Sequence, residues 1–166
     1  MKKEILMSAE KILNKFAIKE VFTISEDASV EEALHALNEH NHRAAPVIDD
    51  EGVYKGMFSS HEVIKSLLPS YLVGSEMNLD FAQGLSPHLA EKLRDVFPSR
   101  VGDHVSANTD FKIISTTPSL EALRILTKYG SPIPLVDSST GKLTGLISDQ
   151  SAITGLLAVE AEHQEE

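Results

Sequence analysis

Two stretches of this chain repeat each other, and an internal repeat constrains architecture more than any single residue does. The first contains Ser29-Val-Glu-Glu-Ala33-Leu34, then Ala45-Pro46-Val47-Ile48-Asp49, then Gly56-Met57-Phe58-Ser59. The second contains Ser119-Leu-Glu-Ala122-Leu123, then Ile133-Pro134-Leu135-Val136-Asp137, then Gly145-Leu146-Ile147-Ser148. Corresponding residues are offset by about 89 positions throughout. Two copies make a paired module rather than a solenoid. Two similar halves packed by pseudo-symmetry leave clefts between them, and clefts take ligands.

Within each half the periodicity switches in a fixed order. Val21 to Ser25 is short and β-prone. Val30, Ala33, Leu34 and Leu37 follow a helical stripe, with Ser29 and Glu32 spaced as a capping box. Ala44 to Ile48 is an apolar run expected as a buried strand. Asp49 to Gly52 forms a turn, Val53 to Phe58 the returning strand, and Ser59 precedes a helix over 60–68. The second half repeats this with Ile113-Ile114, then a helix that Thr117 caps and Pro118 begins. Leu120, Leu123 and Leu126 form its apolar face, and Gly130 ends it. Strands over 133–136 and 143–147 follow, then a helix to about Val159. A helix joining the first two strands makes them parallel, and the hairpin makes the last two antiparallel. The fold class expected is α+β, with two β-α-β-β-α motifs packed through their sheets.

The remaining segments complete the plan. Residues 1–16 read as an N-terminal amphipathic helix carrying Ile5, Ile12, Leu13 and Phe16, 17–68 as the first motif, and 69–100 as a helical insertion. Residues 101–159 read as the second motif and 160–166 as a frayed acidic tail. The insertion has no period over 75–84. It then places Ser86 as a cap and Pro87 first in a helix whose Leu89, Leu93, Val96 and Phe97 dock on the fold.

Composition narrows the function classes. The chain has 166 residues, no Cys and a formal net charge of −10. Disulfides and thiolate zinc sites are excluded. The negative field opposes nucleic acid and anionic lipid. No apolar run is long enough to span a bilayer, and Met1-Lys2-Lys3-Glu4 opens no secretory signal. A cytoplasmic protein is expected. No nucleophile elbow, Gly-rich phosphate loop or paired-carboxylate motif appears, so no enzyme is expected. His40 and His42 are two apart and lack metal-ligand spacing, so no metal site is assigned.

At these residues the chain resembles a tandem cystathionine-beta-synthase (CBS) domain pair. The family's half-motif runs apolar-Pro-Val-Val-Asp, a turn, then Gly-apolar-apolar-Thr/Ser-x-x-Asp. Here it reads Ala45-Pro46-Val-Ile-Asp49 with Gly56-Met-Phe-Ser59-Ser-His-Glu62, and Ile133-Pro134-Leu-Val-Asp137 with Gly145-Leu-Ile-Ser148-Asp-Gln-Ser151. The long insertion resembles that of stand-alone bacterial members. The resemblance implies a sensor that binds AMP, ADP, ATP or S-adenosylmethionine in clefts between the motifs, without a required cofactor. It also implies a homodimer that reports occupancy to an effector protein.

The chemistry of such a site is legible. A Ser at a strand end before a helix offers a hydroxyl and a positive helix terminus. An acid three residues later accepts from ribose hydroxyls. The first copy keeps an acid, Glu62; the second has Ser151. By the resemblance, Ser59 and Glu62 work with Phe111, Ser131 and Ile133, and Ser148 and Ser151 work with Phe22, His42 and Ala44. Arg43 stands where members place a phosphate-contacting base. The Glu62 site ranks first because it keeps a carboxylate, and AMP or ADP ranks before ATP because few cations are offered. The alternative is a ligand-free dimerisation scaffold with degraded clefts, in which Ser59 and Ser148 are plain helix caps.

Overall fold

The computed structural model describes residues 10–74, 76, 86–105 and 111–164. In chain order the elements are helix α1 (10–16), β1 (Ala17–Ile18), β2 (Ile24–Ser25), α2 (Val30–Glu39), β3 (Ala44–Ile48), β4 (Tyr54–Ser59) and α3 (Ser60–Leu67). After a 3-10 turn at Ser70–Leu72 come α4 (Ser86–Val96), a second 3-10 turn at Val101–Asp103, β5 (Ile113–Ile114), α5 (Ser119–Tyr129), β6 (Ile133–Val136), β7 (Leu143–Ile147) and α6 (Asp149–Gln164). The β-α-β-β-α order occurs twice, as β2-α2-β3-β4-α3 and β5-α5-β6-β7-α6. All of the aperiodic stretch 75–84 but residue 76, and the expected start of the N-terminal helix, lie outside the described residues.

The chain divides into two compact units. The first-motif unit comprises Thr23–Asp49 and Lys55–Ala107. Its sheet has the order β2-β3-β4, with β2 and β3 parallel and Ile24 opposite Val47. The apolar stripe of α2 buries Val30, Ala33 and Leu37 as its spacing requires, together with Val47, Phe58 and Val101. The capping box is formed. Ser29 Oγ accepts from the Glu32 amide at 3.1 Å, and the Glu32 carboxylate accepts from the Ser29 amide at 3.0 Å. The end of the insertion satisfies the next two helix-start donors. The Val30 amide donates to Ser99 O at 2.9 Å and the Glu31 amide to Phe97 O at 3.2 Å. Arg100 adds ion pairs to Asp27 at 2.8 Å and Glu26 at 3.4 Å. The docking expected of the insertion is therefore present: Leu89, Leu93, Val96 and Phe97 are half-buried, and α4 contacts α3. Ser29→Ala removes one side of the box and is expected to lower stability by about 1 kcal/mol. Equilibrium denaturation measures it, and an unchanged midpoint would show that the carbonyls of 97–99 suffice.

The second-motif unit comprises Met1–Phe22, Asp50–Tyr54 and Asn108–Glu166. Its sheet order is β1-β7-β6-β5. β5 is parallel to β6, while β6 and β1 are both antiparallel to β7. Residues 17–18, grouped by sequence with the first motif, thus pair with the second: Ala17 faces Ile147 and Ile18 faces Leu146. Gly145 permits this approach, since a Cβ there would lie 2.8 Å from Ile18 O. Its equivalent in the first copy, Gly56, stands where a Cβ would lie 3.0 Å from the Val105 side chain. Each unit therefore receives an arm from the segment preceding the other motif. The second core gathers Leu13, Phe16, Ile113, Ala122, Leu126, Ile133, Leu135, Ile147 and Ala152.

Three local expectations are corrected here. Thr117 does not cap α5. Its hydroxyl accepts from the Ile114 amide at 3.2 Å, and Pro118, extended at ψ 144°, is the cap residue. Leu120 is 79% exposed, because a helix starting at Ser119 turns Ala122 and Leu126 inward. The tail does not fray at 160, because α6 runs to Gln164 and Glu162 pairs with Lys15 at 2.5 Å. The turn before β7 is closed by Asp137, whose carboxylate accepts from the Thr140 and Ser139 amides. Those bonds, the Thr140 amide first, hold its carboxyl below the usual range.

Candidate functional site

The first strand–helix junction forms because β4 ends in a residue that can cap α3. Ser59 is extended at φ −140°, and its Oγ accepts from the Glu62 amide at 3.1 Å. The next helix donor, the Ser60 amide, goes to Arg43 O at 3.0 Å. Arg43 is exposed and immediately precedes β3, whose Ala45, Pro46 and Val47 are buried. One end of the first-motif unit thus collects Arg43, Ser59 and Glu62, beside exposed His42 and half-buried Ala44. The Glu62 carboxylate, 40% exposed, stands 4.0 Å from the Lys65 ammonium. This differs from Glu32, whose carboxylate is drawn back onto its own cap. Glu62 also lines a groove of about 540 Å³ with Lys65, Ser66, Leu68, Ser70 and Val73.

The second junction has the same plan with a different ending. Ser148 Oγ accepts from the Ser151 amide at 3.0 Å, and Ser151 Oγ accepts from the Ser148 amide at 2.9 Å. Ser151 Oγ also donates to Ser148 O at 3.2 Å. Each hydroxyl closes on the other residue's backbone, where the first copy leaves a partly exposed carboxylate. The first amide of α6, that of Asp149, donates to Ser131 Oγ at 3.1 Å. Ser131 therefore takes the part that the Arg43 carbonyl plays in the first copy. A cavity of about 290 Å³ adjoins this junction, lined by Ala17, Ile18 and Lys15 from the N-terminal arm and by Ser148, Gln150, Ser151 and Thr154.

The other sequence-named residues have clear places. Ile133 is 2% exposed and belongs to the second core. Phe22 is half-buried in the chain before β2. Phe111 is half-buried, with its ring against Tyr129. Phe22, Phe111, Ser131, Ile133, Ser148 and Ser151 belong to the second-motif unit, and His42, Arg43, Ala44, Ser59 and Glu62 to the first. Sequence reading did not point to Lys15 and Ile18, which line the cavity beside the second junction. Lys15 and Ile18 lie more than a hundred positions from the junction they line, and no local pattern marks them. Among the described residues no group of three His, Asp or Glu is assembled to hold a metal, and no helix is long and apolar enough to cross a membrane.

The family model for the CBS domain matches residues 12–69. No curated protein matches the chain in sequence. Solved structures of the same fold are numerous. A CBS domain pair/ACT domain protein from Thermotoga maritima is 18% identical, with 91% of this chain and 97% of that one covered at a TM-score of 0.57. CBSX2 in complex with AMP, a protein of Arabidopsis thaliana, is 22% identical, with 92% and 97% covered and a TM-score of 0.60. CbpB in complex with c-di-AMP is 13% identical, with 99% and 96% covered and a TM-score of 0.67. At such identities the likeness is one of fold. The matched segment, the repeated β-α-β-β-α order and these neighbours agree: the CBS domain model matches residues 12–69, and the chain has the fold of a tandem CBS domain pair.

Proposed function

We propose that this protein is a non-catalytic regulatory module that binds an adenosyl ligand at its strand–helix junctions, with Ser59, Glu62 and Arg43 the principal contacts. The observation that carries the reading is the outward carboxylate of Glu62, one turn into a helix capped by Ser59 and closed by the Arg43 carbonyl. A carboxylate there accepts from paired ribose hydroxyls, and the Arg43 guanidinium meets a phosphate. AMP and ADP are the favoured ligands, with ATP and S-adenosylmethionine as further members of the class. The complexes of CBSX2 with AMP and of CbpB with c-di-AMP support the ligand class. In the same reading the protein acts in the cytoplasm as a homodimer and passes occupancy to an effector protein. The closed Ser148–Ser151 box favours a second reading for that junction, a structural cap in a scaffold.

A thermal-shift series with AMP, ADP, ATP and S-adenosylmethionine tests this. Ligand at 100 times its Kd stabilises by about 2.7 kcal/mol, roughly 5–10 °C for a domain of this size. No shift with any of the four at millimolar concentration counts against adenosyl binding. Glu62→Ala is expected to weaken AMP binding by about 1–3 kcal/mol. Calorimetry that finds the affinity unchanged would move the site away from this junction.

A further inference from the structure

We propose that the outer face of α5 is a self-association surface, and that its occupant is the same face of a second copy of this chain, packed antiparallel about a two-fold axis. The proposal gives a surface to the homodimer read above and rests on that part of the reading, not on adenosyl binding.

Leu120 is 79% exposed, more than any other large apolar side chain described. It is not isolated. A groove of about 520 Å³ runs along the helix, lined by Pro118, Leu120, Glu121, Leu123, Arg124 and Thr127. Leu120, Leu123, Arg124 and Thr127 recur at helical spacing along one stripe, while Ala122 and Leu126 are buried on the core side.

Charge selects this face over the other exposed apolar stripes. The chain carries a net charge of −10, so two copies repel wherever acids face acids. The α5 face is balanced. Arg124 Nε donates to Glu121 Oε2 at 2.7 Å, and Arg124 Nη2 donates to Glu121 Oε1 at 2.5 Å. Both charges therefore reach a contact already partnered. The stripe of Ile153, Leu156 and Leu157 on α6 is different, since that helix carries Asp149, Glu160 and Glu162 and no Lys or Arg. The exposed Leu68 and Val73 line the Glu62 groove, which belongs to the ligand junction.

The order of groups along α5 also reads the same from either end. With a two-fold axis between positions 122 and 123, Pro118 falls opposite Thr127 of the second copy, and Glu121 falls opposite Arg124 of the second copy. Leu120 and Leu123 lie about the axis and meet their counterparts. A two-fold contact requires this self-complementarity, because each patch must fit a copy of itself. Each guanidinium then serves its own carboxylate and the facing one. One helix face is smaller than the roughly 1,000 Å² that a stable interface buries, so pairing is expected to depend on concentration.

Sedimentation velocity of the intact chain over a concentration series tests this. A monomer–dimer equilibrium is expected for the parent. Leu120→Glu, at a position too exposed to disturb the fold, is expected to raise the dissociation constant by roughly 100-fold or more, since two buried leucines are lost per dimer. Circular dichroism checks that the variant is folded. Arg124→Glu, which sets four acids together, is expected to weaken pairing as well, and the added Glu121→Arg to restore it. Ile153→Glu on α6 is expected to leave pairing intact. A Leu120→Glu variant that pairs as the parent does, or a dimer that Ile153→Glu dissolves, overturns this surface and leaves the homodimer standing. A parent that stays monomeric at millimolar concentration overturns both. AMP binding is read separately by calorimetry, so its failure is distinguished from either.

Discussion

Phe16→Ala is expected to lower the unfolding free energy by about 3–5 kcal/mol, with the loss falling on the second-motif unit. Phe16 is fully buried, and its neighbours are Leu13, Ile147 and Ala152 rather than the first motif that follows it in sequence. Truncating the ring removes apolar area from a packed interior and leaves a hollow that the backbone pairs of β1 with β7 resist closing. Denaturant titration gives the size of the loss. Hydrogen exchange gives its place: amides of Gly145–Ile147 and of α6 lose protection, while those of β3 keep theirs. A loss under 1 kcal/mol, or one confined to 24–48, would falsify the assignment of the N-terminal arm to the second core.

Gly155→Ala is expected to destabilise although it improves helix propensity. Alanine in place of glycine in a helix interior is worth about 1 kcal/mol in favour. At Gly155 the added Cβ would lie 2.5 Å from Phe16 Cδ1 and 2.7 Å from Lys15 O. The ring can rotate away, but the carbonyl moves only if α1 moves with it. Overpacking of this kind costs about 1–3 kcal/mol, so a net loss is expected. The two variants should couple, since shortening Phe16 to Ala removes one of the two clashes. The double variant is therefore expected to lose less than the sum of the singles. A Gly155→Ala protein with a raised melting temperature would show that α1 lies farther from α6 than the structure places it.

The parts of the fold that sequence revealed are those decided over short spans. The capping box at Ser29 and Glu32 needs only the right atoms three residues apart, and it formed as spaced. Ser59 capping α3 and Gly130 ending α5 are of the same kind. Where two local solutions competed, neighbouring backbone chose. The Thr117 hydroxyl accepts from the Ile114 amide, Pro118 is the cap residue, and α5 starting at Ser119 leaves Leu120 in solvent. The candidate site was half legible. Ser59, Glu62, Ser148 and Ser151 follow from the repeated strand–helix boundary. The closure of Ser148 with Ser151 is again local, while the Ser131 bond to Asp149 and the pairing of the Phe111 and Tyr129 rings depend on which distant side chains the fold brings together.

By itself the sequence determined that there are two copies, the order of elements in each, and where each second helix begins, because periodicity and capping act within a few residues. Only the tertiary structure decided which arm completes which sheet. It carried α1 and β1 to β7 and set Val105 against Gly56. A two-residue strand carries almost no signal of its own, and its partner is selected by whichever apolar edge and close-approach glycine the folded chain brings to it.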